Sequence, residues 1–206
     1  MNKINYQKEL DKLIEKHMAE GIVPSLLLHA CCAPCSSYCL EYLSEYFDIT
    51  VFFYNPNIDE EDEYLHRKQE EIRLIHALSA KRMIRMIDAD HDSGRFLHAV
   101  KGFENEKEGG ARCRICFALR LEETAKTAAA GHFDYFTTTL TISPLKNAPL
   151  LNELGSKMSE KYGVSFLPSD FKKKNGYKRS IELSKEYGLY RQSYCGCSFS
   201  KRQSLD

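Results

Sequence analysis

Apolar residues recur along this chain at two periods, and the alternation between the two predicts an α/β protein. Across residues 4–20 they fall every three to four positions, as on an amphipathic helix, until Gly21 and Pro24 break the pattern. "SLLLHA" (25–30) is then a short, unbroken apolar run, and "DITVFFYN" (48–55) is a second, rich in β-branched and aromatic residues; both read as buried strands. "KRMIRMI" (81–87), "FDYFTTT" (133–139) and "VSFLPSD" (164–170) add three more. Between strands the helical period returns. It runs from the first strand to about residue 46, over 59–80 with Tyr64, Ile72, Ile75 and Leu78 near one face, near Phe96, over 114–130 up to Gly131, and over 147–163. The polar, glycine-containing "KGFENEKEGGARC" (101–113) reads as a loop. Strands alternating with helices predict a parallel sheet of about five strands covered on both faces, with right-handed crossovers.

The 206 residues contain no Pro/Gly/Ser-rich linker, low-complexity tract or internal repeat, so one domain, 1–206, is expected. The 29 basic and 29 acidic side chains cancel, which leaves any attraction of a polyanion to local patches. The opening "MNKINYQKELDKLIEKHMAE" is charged throughout and lacks an apolar signal core, and no apolar run reaches the roughly 18 residues of a membrane span. The chain is therefore expected to be cytoplasmic, with no membrane partner.

Eight cysteines change the picture. In a reducing compartment they are not expected to form structural disulfides, and their clustering argues against scattered core thiols. Cys31, Cys32, Cys35 and Cys39 fall in "LHACCAPCSSYC", where the first strand turns into a helix that Pro34 opens. Such a corner of a parallel α/β fold presents unpaired backbone N–H groups, and ligands bind there. Cys39, a turn further on beside Leu40 and Leu43, fits the core better. Cys113 and Cys116 form a C-x-x-C after a Gly-Gly loop, two thiolates at a helix start whose dipole favours negative charge. They can meet Cys31 and Cys32 only across the top of the sheet. Four such thiolates fit structural zinc or an iron-sulfur cluster. The adjacent Cys31 and Cys32 suit a cluster, which spreads its ligands over several irons, better than one tetrahedral ion with bonds of about 2.3 Å. Cys195 and Cys197, separated by one glycine, could bind metal or close a strained, readily cycled disulfide.

Lys172, Lys173, Lys174, Lys178 and Arg179 lie in "FKKKNGYKR", a basic loop with Phe171 and Tyr177 interleaved that suits phosphate contacts and stacking on unpaired bases. Arg112 and Arg114 flank a cysteine of the C-x-x-C, and Asn55, Asn57, Thr138 and Thr139 stand at strand ends facing the expected pocket. His29, Tyr54 and Tyr190 are candidate proton donors. A zinc-stabilised nucleic-acid-binding module and a thiol-based redox sensor using Cys195 and Cys197 stand as rival functions.

"LHACCAPCSSY", "FYNPNI", "EYLHRKQ", "EGGARCRICFALRLEETA", "TTTLTISPLKN" and "YRQSYCGCSFS", in this order over about residues 26–200, resemble the cobalamin-independent epoxyqueuosine reductases, the QueH family. The resemblance implies a Rossmann-like fold of the adenine-nucleotide alpha-hydrolase type. It implies a 4Fe-4S cluster on Cys31, Cys32, Cys113 and Cys116, with an additional iron near Cys35, where some members carry Asp. It also implies reduction of epoxyqueuosine to queuosine at the wobble base of tRNA, the last step of queuosine synthesis. Cys195 and Cys197 would then be a redox-active pair that relays electrons from a donor the sequence does not name. Asp59 stands where many members have His, and no role is read into it.

Overall fold

A computed structural model describes residues 4–203; residues 1–3 and 204–206 of the expected domain lie outside the described residues. Five parallel strands form one sheet in the order β3-β2-β1-β4-β5. They are β1 (Ser25–His29), β2 (Asp48–Phe53), β3 (Arg85–Asp88), β4 (Tyr135–Thr138) and β5 (Ser165–Phe166), each within an expected run except that β3 passes its run by one residue, with β5 cut to two residues. Register follows the pleat: Leu27 of β1 faces Thr50 of β2 on one side and Phe136 of β4 on the other. Because side chains alternate across a strand, successive leucines of β1 enter different cores. Leu26 and Leu28 pack with α1 (Tyr6–Glu20), α2 (Ala33–Leu43) and α3 (Glu61–Ala77), through Leu10, Leu40 and Leu74 among others. Leu27 packs on the opposite face with Phe117, Leu121 and Leu151, from α5 (Ala111–Ala130) and α6 (Ala148–Tyr162). Each fully buried aliphatic chain of this kind contributes about 1.5–3 kcal/mol. Cys39 lies wholly inside the first core, as expected.

Three sequence expectations are corrected, each for a physical reason. The 59–80 helix does not bury Ile72, which is exposed; its inward face is Tyr64, Arg67, Glu71 and Leu74, spaced three and four apart, with two charged residues where a hydrophobicity pattern looks for apolar ones. The helix expected from 114 begins at Ala111, capped by Gly110, so Cys113 and Cys116 occupy its first two turns. The "FKKKNGYKR" stretch is only half loop. Phe171 is a core residue, and after Asn175, at φ 61°, the chain enters α7 (Gly176–Glu186), which carries Tyr177, Lys178 and Arg179. Two further helices complete the fold: α4 (Ser93–Ala99), near Phe96 as expected, and α8 (Ser198–Gln203), which no periodicity announced.

The chain runs outward from β1 to β2 and β3, then returns to the other side of β1 as β4. Between the carboxyl ends of β1 and β4 the connections diverge, which opens a crevice in doubly wound sheets. Cys31 follows β1 there, and Thr139 opens a 3-10 turn (Thr139–Ile142) after β4.

Candidate active site

The corner after β1 brings three sulfurs together. Cys32 is the N-cap of α2 and Cys35 sits in its first turn behind Pro34. The Sγ atoms of Cys31, Cys32 and Cys35 lie within 4.8 Å of one another, with Cys31 and Cys32 3.8 Å apart. Among the described residues this is the one group of three or more Cys, His, Asp or Glu side chains close enough to share a metal ion. Three thiols this close together do not all ionise at once. Hydrogen bonds from Cys32 and Cys35 hold Cys31 well below the usual thiol range, assisted by the Thr139 hydroxyl, while Cys32 is pushed up to about 12 and Cys35 also upward by the charge and hydrogen bonding of Cys31. Cys31 is thus the sulfur of the three that ionises most readily, and a bound metal would displace the protons of its neighbours.

Cys31 and Cys35 line a cleft of about 240 Å³. Its far wall is the C-terminal strap that crosses the mouth and contributes Arg191, Gln192, Tyr194 and Cys195. Helix α3 ties this strap down. Arg67 donates to the carbonyls of Cys195 (3.2 Å) and Tyr194 (3.5 Å), and its guanidinium lies 5.2 Å from the Tyr194 ring centroid. Glu70 accepts from the Tyr190 amide at 3.0 Å. Asp59, to which the sequence assigned nothing, accepts from the Ser198 amide at 3.0 and 3.1 Å. Two contacts cross the cleft itself: Gln192 Nε2 donates to Cys32 Sγ at 3.0 Å, and Lys146 Nζ donates to Cys195 Sγ at 3.2 Å. Burial opposes the Lys146 charge, but the Cys195 sulfur more than offsets this and holds its pKa above the ordinary lysine range.

Behind the strap a void of about 10 Å³ is lined by Cys113, Cys116, Cys195 and Cys197 together with Asn57, Arg112 and Arg120. All eight cysteines are free thiols. Burial pushes Cys116 up to about 12 and Cys197 upward as well. The polar groups here are incompletely paired: Asn57 Oδ1, Arg112 Nε and Nη2, and Arg120 Nη2 are buried without a hydrogen-bond partner. Two buried guanidiniums with idle donors among thiols call for an anionic occupant, since an unpaired buried charge is costly. A thiolate-ligated iron-sulfur cluster, which carries net negative charge, fits that requirement.

The sequence profile of the family described as epoxyqueuosine reductase QueH matches residues 26–203. Curated relatives named epoxyqueuosine reductase QueH cover nearly the whole chain. That of Streptococcus pyogenes serotype M1 is 44% identical over 99% of this chain and 81% of its own length. That of Staphylococcus aureus (strain Mu50) is 46% identical over 98% of this chain and 85% of its own. That of Thermotoga maritima is 37% identical over 85% of this chain and 90% of its own. This chain belongs to the epoxyqueuosine reductase QueH family.

The residues that carry the QueH resemblance are divided by the fold between cleft, void and scaffold. Cys31 and Cys35 reach the cleft, Cys113, Cys116 and Cys197 the void, and Cys195 both. The strand-end residues are mostly internal. Asn55 donates to the Ala30 carbonyl at 2.9 Å, Thr138 accepts from the Leu140 amide at 3.2 Å, and Thr139 accepts from the Cys31 amide at 3.3 Å. Arg112 is buried and donates to the Glu104 carbonyl at 2.9 Å, so it braces the 101–110 loop, whereas Arg114 is exposed beside Glu153. Lys172 pairs with Asp170 and Lys174 with Asp11, leaving Lys173 the most open of the three. None of the proton-donor candidates lines the cleft. His29 Nε2 lies 3.0 Å from the Tyr54 carbonyl and Nδ1 2.9 Å from Thr138 Oγ1, so it is a neutral cross-link between strands, its pKa lowered to about 4 by burial and then by Arg120. Tyr54 accepts from Arg95, and Tyr190 donates to Glu63. Sequence reasoning missed Arg67, Arg120, Lys146 and Gln192. All four lay inside quoted motifs, one in each of four, without any spacing to single them out.

Proposed function

We propose that this chain is an epoxyqueuosine reductase, reducing the epoxide of epoxyqueuosine at the wobble position of a tRNA anticodon to the alkene of queuosine. One observation carries the chemistry beyond the family name: Cys31 and Cys35 of the sulfur triad share a cleft with Cys195 of the C-x-C. Epoxide deoxygenation consumes two electrons and two protons and releases the oxygen as water. Oxidation of the Cys195–Cys197 dithiol to a disulfide supplies two electrons and two protons, so the two half-reactions balance. An external dithiol reductant of unnamed identity then restores the pair.

Cys31, Cys32, Cys113 and Cys116 are the residues that would hold a 4Fe-4S cluster, and Cys35 an additional iron. When bound, these groups supply one-electron transfer and Lewis acidity toward the epoxide oxygen. The chain does the rest. Tyr177, Leu145 and Tyr194 give the cleft the apolar and aromatic walls on which a modified base stacks. Lys146, protonated and directed into the cleft at Cys195, can donate a proton to the departing oxygen. Exposed Arg191 lines the cleft, and it, Lys173 and Lys178 are the basic side chains assigned to backbone phosphates, whereas Lys172, Lys174 and Arg114 stand in ion pairs that a phosphate would have to replace. Asn55, Thr138 and Thr139 tie the strand ends together and Asn57 and Arg112 line the void, so these five would act on the substrate through the scaffold and not by contact in the cleft.

Anaerobic purification followed by iron, zinc and acid-labile sulfide analysis tests this function. Brown protein with iron and sulfide that converts epoxyqueuosine in tRNA supports it. Colourless protein holding one zinc would favour the nucleic-acid-binding module, and metal-free protein the thiol redox sensor.

A further inference from the structure

Arg120 is among the largest side chains in the protein with almost no exposure, at 1%. A buried guanidinium normally sits against a carboxylate. Arg120 does not, and among the described residues no acidic side chain forms an ion pair with it. Its Nε makes one long contact of 3.4 Å with the Cys116 carbonyl a turn back, its plane lies over the Phe117 ring at 5.6 Å, and Nη2 has no partner. Among the described residues it is the one cation that lines both the cleft, with Cys31, and the void, with Cys113 and Cys116. The placement follows from the helix. Arg120 lies four residues after Cys116 and seven after Cys113, on the same face of α5.

We infer that Arg120 is a positioning residue whose fixed positive charge raises the reduction potential of the cluster held by the surrounding cysteines; this rests on the cluster assignment above. Adding an electron to a thiolate-ligated cluster adds negative charge to a site walled off from water, where the price is set by nearby charges. A cation that is not tied up in an ion pair among the described residues offsets part of that charge. Arginine holds its charge most securely, because its guanidinium stays protonated even when desolvated, and the sulfurs here keep a lysine charged as well, as Lys146 beside Cys195 shows. The sulfurs around it work in the same direction: burial disfavours its charge, and Cys116, Cys195, Cys31 and Cys113 outweigh that effect.

The test is a redox titration, followed by electron paramagnetic resonance, of the anaerobically reconstituted protein and of Arg120→Met and Arg120→Lys, with iron and sulfide counted in each. At one fixed solution potential, Arg120→Met should show a reduced-to-oxidised cluster ratio at least tenfold below that of the unsubstituted protein, equivalent to about 59 mV for one electron. Arg120→Lys should recover most of the difference. An unchanged ratio in Arg120→Met overturns the proposal. So does an Arg120→Lys value as low as that of Arg120→Met, because packing rather than charge would then be responsible. If Arg120→Met fails to retain iron, Arg120→Lys decides alone: a ratio within threefold of the unsubstituted protein supports the charge role, and a tenfold fall overturns it. Unsubstituted protein that takes up no cluster would overturn the cluster assignment and this inference together, whereas a normal cluster with an unmoved potential would overturn this inference alone.

Discussion

Cys35 and Glu71 show how far one buried group is governed by its neighbours. Cys35 lies in the first turn of α2 within reach of Cys31 and Cys32, yet it is not one of the four cysteines assigned to the cluster. Replacing it by Ala should leave the cluster's absorption spectrum in place, remove about one iron per chain and abolish turnover, while Cys35→Asp, whose carboxylate also ligates iron, should retain both. Iron counting with visible spectroscopy checks this, and loss of the whole spectrum in Cys35→Ala would make Cys35 a cluster ligand instead. Glu71 is wholly buried on α3 with neither carboxylate oxygen bonded, since the Ser36 hydroxyl beside it donates to the Cys32 carbonyl. Burial pushes its pKa up to about 8. In the unfolded chain the group titrates near about 4.3. Below that both states are protonated. Between the two values only the unfolded state sheds its proton, so the contribution of Glu71 to stability is full at low pH and falls until the folded pKa is passed. Glu71→Gln should therefore gain on the wild type steadily between about pH 5 and pH 8, reaching a few kcal/mol, as read by denaturant titrations of both proteins at each pH.

Among the elements, the C-terminal strap depends most on others for its shape. It has no regular structure from Leu189 to Cys197, and its path is set by Asp59, Glu63, Arg67, Glu70 and Arg73 at and along α3. Gly196 is the tightest point. Its φ of 130° lies where L-residues rarely go, and a Cβ there would approach Ile58 Cγ1 to 2.9 Å, Asn57 Nδ2 to 3.2 Å and Arg67 Nη1 to 3.3 Å. Gly196→Ala should cost about 1–3 kcal/mol of local stability. Because the strain falls between the two thiols, hydrogen exchange should speed up over residues 189–200 and leave β1 and α5 protected. Exchange that rises evenly across the chain would show that the strap unfolds only with the rest.

For the molecule as a whole, the arrangement separates the chemistry from the supply of electrons. If Cys195 and Cys197 feed the metal site, replacing either by Ser should block turnover driven by a thiol or protein reductant, because one sulfur cannot close the disulfide. Iron content should persist, and a low-potential chemical reductant should restore epoxide reduction in the Ser variants. Loss of iron would mark the pair as ligands instead. The origin of this arrangement divides between sequence and fold. Alternating strand and helix periods determined the five strands and their parallel order of use, because periodicity is a local property that each segment carries by itself. The clustering of Cys31, Cys32 and Cys35 was local too, being a matter of five consecutive positions on a strand-helix corner. Where a residue's environment came from distant segments, the sequence was silent. Arg67 and Glu71 were hidden because nothing local announces burial of a charge: Arg67 pairs with Glu63 one turn back, but the strap it holds lies more than a hundred residues on, and Glu71 has no partner among the described residues. Phe171 and Lys174 looked like a nucleic-acid surface until packing took one into the core and Asp11 took the other. Only the tertiary structure placed Cys195 over the sulfur triad with Lys146 against it, because the strap has no period of its own and takes its course from α3.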